Sequence, residues 1–200
     1  MNAYKIYGDS ISGNCLKVKW TADILRQPYQ WVEISVVNRE TRTPAFLAIN
    51  PGGQVPVLID IEGRALAQSN AIILTLAETH GGGLIPDDPY ARAKTYEWLF
   101  WEQYSHEPYI AVRRFQKAYL KTPDHELDPK LLDRGLVALT RMERQLGDEP
   151  YIAGASFTLA DIALVAYTRV AHEGGFELNA FPAVKAWVAR IEKHLDIEAA

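Results

Sequence analysis

Asn50-Pro51-Gly52-Gly53-Gln54-Val55-Pro56-Val57-Leu58 is the stretch on which the reading of the fold turns. Its Pro-Gly-Gly segment stops any helix arriving from the left, and the apolar run opening at Val57 reads as a strand. Pro56 stands directly before that strand. There it removes one ladder donor, and it can take the cis form that other residues rarely tolerate. Two readings fit: a plain loop entering an edge strand, or a cis-proline turn that leaves the N–H and C=O of Val55 to pair with a peptide-like ligand.

Outward from this stretch the chain alternates strand and helix signals. On the C-terminal side, residues 57–61 and 65–67 bracket Glu62-Gly63, the pattern of a tight antiparallel hairpin, and Ser69 opens a helix running to about residue 80. On the N-terminal side, Thr43-Pro44 opens a short helix with proline in its first turn. Before it, residues 31–37 read as a β-branched and aromatic strand, and residues 14–27 as a helix with Val18, Ala22 and Leu25 along one face. Residues 4–7 form a first strand, closed by Gly8-Asp9. A strand–helix–strand order predicts a parallel pair with a right-handed crossover. The sequence β-α-β, α, β-β-α is the thioredoxin-like order, so an α/β domain is expected over residues 1–80.

Residues 81–89, GGGLIPDDP, read as a linker. Strand signals then nearly vanish. Helices are predicted at 90–120, 129–147, 158–172 and 181–195, which makes 90–200 an all-helical domain. The sharpest helix start is Phe157-Thr158-Leu159-Ala160-Asp161-Ile162: a threonine cap, an acid three residues on, and apolar residues at both staple positions. Asp161 is read as structural rather than catalytic.

Bulk properties narrow the function. The 200 residues are 48% hydrophobic with a net charge of −4, and the cations are scattered. Nucleic acid as main partner is disfavoured, because backbone binding relies on massed cations. No apolar run approaches the roughly 20 residues of a membrane span. MNAYKIYGDS lacks the three regions of a signal peptide, so a cytoplasmic protein is expected. A single cysteine, Cys15, excludes an intrachain disulfide and a thiolate zinc site, and His106 has no metal-ligand partner at helical spacing. No metal is expected.

Two further motifs carry chemistry. Ser10-Ile11-Ser12-Gly13-Asn14-Cys15-Leu16-Lys17-Val18 sits where the first strand meets the first helix. A helix N-terminus presents unpaired N–H groups and a partial positive charge, and so favours an anion. Ser12 and Asn14 read either as ordinary caps or as donors to a thiolate. Gln68-Ser69 opens the later helix in the same way, either as a cap or as a carboxylate site with a side-chain amide beside it.

S-G-N-C-x-K-V, N-P-x-G-x-V-P-V-L and Q-S-N-A-I, in this order within one domain, resemble the cytosolic glutathione transferases, in particular bacterial serine/asparagine members. F-T-L-A-D-I-A resembles the capping motif of that family's helical domain. The resemblance implies glutathione as co-substrate, with Ser12 bonding the glutathione sulfur and Asn14 making a second sulfur-side contact. It implies that Pro56 is a cis-proline, that the Val55 backbone pairs with the cysteinyl part, and that Gln68 and Ser69 hold the γ-glutamyl end. It also implies a homodimer and conjugation to a small hydrophobic electrophile.

Two departures stand out. Gln54 occupies a position that is often a lysine contacting the glycyl carboxylate, so that contact passes to Arg42 or Lys17 or is weaker. Cys15 lies where some bacterial members place a reactive cysteine, although small buried packing is the more common fate of a lone helix cysteine. A glutathione-dependent thiol–disulfide reductase, using Cys15 or paired glutathione molecules, is one alternative; a non-catalytic interaction module is the other. For the second substrate, the aromatic run 98–109 reads as core or as pocket lining, with Pro108 expected to kink its helix. Tyr104 and Arg113 are the pocket candidates.

Overall fold

The computed structural model describes residues 3–200; Met1 and Asn2, which begin the segment read above for a leader, lie outside the described residues. The chain divides between Ile85 and Pro86, within the Gly- and Pro-rich segment, into two compact units.

The first unit runs β1 (Tyr4–Gly8), α1 (Gly13–Ile24), β2 (Tyr29–Glu33), α2 (Pro44–Ile49), β3 (Val57–Ile59), β4 (Ala65–Ala67) and α3 (Ser69–His80). Its four strands lie in the order β2-β1-β3-β4. β1 is parallel to β2 and antiparallel to β3, and β3 is antiparallel to β4. This is the thioredoxin-like architecture. Helices α1 and α3 pack together, and Ile6, Val18, Val57, Leu58, Ile72, Ile73 and Leu76 are buried. Each such side chain contributes about 1.5–3 kcal/mol relative to exposure.

β2 starts and ends earlier than its composition predicts. Its register with β1 runs from Tyr4↔Tyr29 to Gly8↔Glu33. With five residues in β1 the ladder has no partner beyond Glu33, so the β-branched residues after Ile34 are left in loop. Gly8, the last residue of β1, lies under the Trp31 indole: an added Cβ would lie 2.4 Å from the ring. Gly8→Ala should therefore cost about 1–3 kcal/mol, the usual range for overpacking. Urea unfolding checks this, and an unchanged midpoint would contradict it.

The second unit holds α4 (Pro89–Trp101), α5 (Glu107–Arg114), α6 (Pro129–Asp148), α7 (Leu159–Thr168) and α8 (Pro182–Leu195). α4 and α6 open as their sequences dictate: Asp88 and Asp128 accept from the first-turn N–H groups, and proline follows each. α7 is buried along its whole length. Its start is a complete capping box, with both the Thr158 and the Asp161 arms present. No described helix is long and apolar enough to cross a membrane.

The expected kink at Pro108 takes another form. The helix widens into a five-residue π segment, Glu102–His106, just before it, and the Glu107 N–H reaches back to the Glu102 carbonyl. Proline has no N–H to offer its own turn, and a local π turn is one way to re-route the ladder. A second π segment spans Phe115–Tyr119.

Candidate active site

The turn between β1 and α1 is fixed by two carboxylates. Asp9, only 3% exposed, accepts from the Ile11 N–H (3.0 Å) and the Val36 N–H (2.7 Å). Glu33, at the end of β2, accepts from the N–H and hydroxyl of Ser10 and, through its other oxygen, from the Trp31 indole N–H (2.6 Å). Burial pushes the Glu33 carboxyl up, but the donors on Ser10 and Trp31 outweigh it and hold the group below its usual range. A side chain of the turn itself and one from the end of β2 thus set where α1 begins.

Ser12 is the N-cap of α1, with extended backbone and no capping bond from its side chain. Its carbonyl takes the N–H groups of Cys15 and Leu16, each at 3.0 Å. The Ser12 hydroxyl lies within bonding reach of the Cys15 thiol. Cys15 is fully buried. Burial pushes its thiol up to about 12, against the bonds from Ser12 and the Asp9 backbone, and the charges of Asp9 and Glu33 add to the rise. Burial of this kind disfavours the thiolate, the reactive form of a cysteine.

Asn14 joins two helix starts. Its Oδ1 accepts from Lys17 Nζ (2.7 Å) and from the Ser69 hydroxyl (3.1 Å) of α3. Ser69 is 4% exposed and Lys17 is fully buried. Gln68 caps α3 with its side chain exposed and φ at +72°, in a region disfavoured for any residue but glycine. A non-glycine residue held in such a conformation costs on the order of 1–3 kcal/mol, and such residues cluster at ligand sites.

The Val55–Pro56 peptide bond is cis. Val55 lies just outside the β1–β3 ladder, which begins at Val57. The Asn50 amide donates to the Gln54 carbonyl (2.8 Å), while the Gln54 side chain is exposed. Gly53 has φ +60°, and an added Cβ would sit 2.5 Å from Arg42 Nη1. The guanidinium of Arg42 therefore lies against the same loop.

The structure thus brings Asn14 and Ser69 into contact and sets the Cys15 thiol within bonding reach of the Ser12 hydroxyl. The two pocket candidates lie in the helical unit. Tyr104, on the first π segment, is 82% exposed. Arg113 is buried, and its Nε donates to the Gly174 carbonyl at 2.8 Å. Sequence reading missed the Asp9 and Glu33 clamp and the burial of Lys17. Neither has a local signal, since a carboxylate in a turn and a lysine in a helix are both usually exposed.

A thioredoxin-like unit carrying a serine at a helix N-terminus and a cis-proline before β3, joined to a helical unit, defines a class of thiol-handling proteins. Comparison with known proteins narrows it. The model for the glutathione S-transferase N-terminal domain matches residues 6–83, and that for the C-terminal domain matches residues 97–194. A glutathione S-transferase from Pseudomonas fluorescens Pf-5 superposes with a TM-score of 0.90 at 46% identity, over 96% of this chain and 95% of that one. Another from Xanthobacter autotrophicus Py2 gives 0.87 at 44% identity, over 95% and 93%. Glutathione S-transferase PM239X14 of Arabidopsis thaliana is 30% identical, over 94% of this chain and 91% of its own. The chain belongs to the glutathione S-transferase family, and it is a glutathione-dependent transferase.

Proposed function

We propose that this transferase is of the serine/asparagine type and activates glutathione through Ser12, conjugating it to a small hydrophobic electrophile. The observation that carries this reading is the Ser12 hydroxyl at the N-terminus of α1, uncommitted to capping. A free thiol titrates near ~8.5, so only a few per cent is thiolate at neutral pH. Lowering it by about two units requires roughly 2.7 kcal/mol of preference for the thiolate. One charge-assisted bond from Ser12 plus the helix terminus is of that size. Ser12 is a donor in this scheme, and the glutathione sulfur is the nucleophile.

Asn14 makes the second sulfur-side contact. The Val55 backbone pairs with the cysteinyl part of glutathione, Gln68 and Ser69 hold the γ-glutamyl end, and Arg42, against the Gly53–Gln54 loop, takes the glycyl carboxylate. For the electrophile, Tyr104 offers an exposed ring, and Arg113 contributes by holding the Gly174 carbonyl. The enzyme works in the cytoplasm as a homodimer.

The buried Cys15 favours conjugation over disulfide reduction. A neutral thiol is a weak acceptor, so it competes poorly with an anionic sulfur for the Ser12 proton. Cys15 in the native protein should resist alkylation by iodoacetamide at mildly alkaline pH and react only on unfolding. Cys15→Ala should keep conjugation of glutathione to a chlorinated nitroaromatic within about twofold. Rapid native alkylation, or a mixed-disulfide reductase activity abolished in Cys15→Ala, would overturn this assignment.

A further inference from the structure

Lys17 is fully buried in the first turns of α1, and its Nζ donates to Asn14 Oδ1 at 2.7 Å. The Ser69 hydroxyl donates to the same oxygen at 3.1 Å. An ammonium has donors only, so the Asn14 atom facing it is the amide oxygen and the –NH₂ must lie on the opposite side. Turning the amide over would set N–H groups against an ammonium. A buried ammonium is also costly to desolvate, and an apolar side chain of similar volume would fill the space without that cost. The cation therefore has work beyond packing.

We propose that Lys17 is a positioning residue of the sulfur site: with Ser69 it pins Asn14 Oδ1, so that the amide N–H of Asn14 is held ready for the glutathione sulfur. This rests on the reading of Ser12 and Asn14 as the sulfur contacts. Hydrogen-bonded groups polarise one another, so an Asn14 carbonyl held by a cation makes its N–H a stronger donor. The setting calls for such support. Asp9 in the β1–α1 turn and Glu33 at the end of β2 both disfavour an anion at the neighbouring Cys15, and the same carboxylates act on an anionic glutathione sulfur. Lys17 in α1 and the helix terminus oppose them.

The test is a pH titration of the thiolate absorbance of enzyme-bound glutathione. It compares Lys17→Met and Lys17→Gln, each alone and in an Asn14→Ala background, with folding checked by circular dichroism. Either Lys17 variant alone should raise the bound-thiol pKa by about one unit, and conjugation near neutrality should fall about threefold and recover at alkaline pH. In the Asn14→Ala background the same substitution should add little, because the two residues act in series. An unchanged pKa in a folded Lys17 variant overturns the proposal. So does an equal shift in both backgrounds, which means Lys17 acts by another route. If neither variant folds, Lys17 is a structural residue and the proposal falls. A Ser12→Ala control separates the premises: if it leaves the bound-thiol pKa unmoved, the reading of the sulfur site itself has failed, whatever Lys17 does.

Discussion

Ser12→Ala is expected to lower kcat/KM for conjugation on the order of thirtyfold at neutral pH, because bound glutathione reverts from mostly thiolate to a few per cent. The loss should shrink to less than about twofold two units above neutrality, where the thiol ionises without help. That pH dependence separates activation from simple damage to the site. The Ser12 side chain makes no capping bond, so the substitution forfeits less than the ~1 kcal/mol usual for a lost cap. The melting temperature should therefore stay within a few degrees. A steady-state pH profile of wild type and variant decides it. A deficit constant across pH would mean that the hydroxyl positions the substrate rather than tuning the thiol.

Asp161→Ala is expected to destabilise the protein by about 3–5 kcal/mol, the range for breaking a buried charged network. The carboxylate is fully buried. Oδ1 accepts from the Ile152 N–H (2.9 Å) and the Trp187 indole N–H (2.8 Å), and Oδ2 accepts from the Thr158 N–H (2.9 Å). Thr158 completes the cap by accepting from the Ala160 N–H. Burial pushes the Asp161 carboxyl above its usual range, against these donors. Truncation to alanine leaves the Ile152, Thr158 and Trp187 N–H groups without their acceptor where water does not reach, and each unpaired group costs about 1–3 kcal/mol. Trp187 is the largest fully buried side chain, so the damage reaches from the start of α7 into α8. Urea unfolding of the full chain measures the loss. A change under about 1 kcal/mol would mean that the cap is replaceable by local relaxation.

The sequence made the order of elements legible because each boundary carries its own local chemistry. Thr158 and Asp161 announce a helix start, Pro51-Gly52-Gly53 ends one, and Pro56 marks the entry to β3. What it left hidden depends on partners far along the chain. β2 stops at Glu33 because β1 runs out of residues to pair with, which β-propensity in 31–37 has no means to register. The route around Pro108 is a π segment placed one turn earlier, since the ladder can be re-formed only on the N-terminal side of the missing donor. The candidate site divides the same way. Ser12, Asn14, Val55, Pro56, Gln68 and Ser69 lie in short motifs and could be read from them. The supports around them, Asp9 held to Val36, Glu33 to Trp31 and Lys17 to Asn14, owe their roles to burial and to crossings between elements.

On the proposed reading, Ser12 and the start of α1 make a thiolate of bound glutathione. Titrating the ultraviolet absorbance of the thiolate in the wild-type complex measures this directly. The bound thiol should titrate about two units below the ~8.5 of a free thiol and move back up in Ser12→Ala. A bound thiol titrating at the free value in the wild-type enzyme would contradict it.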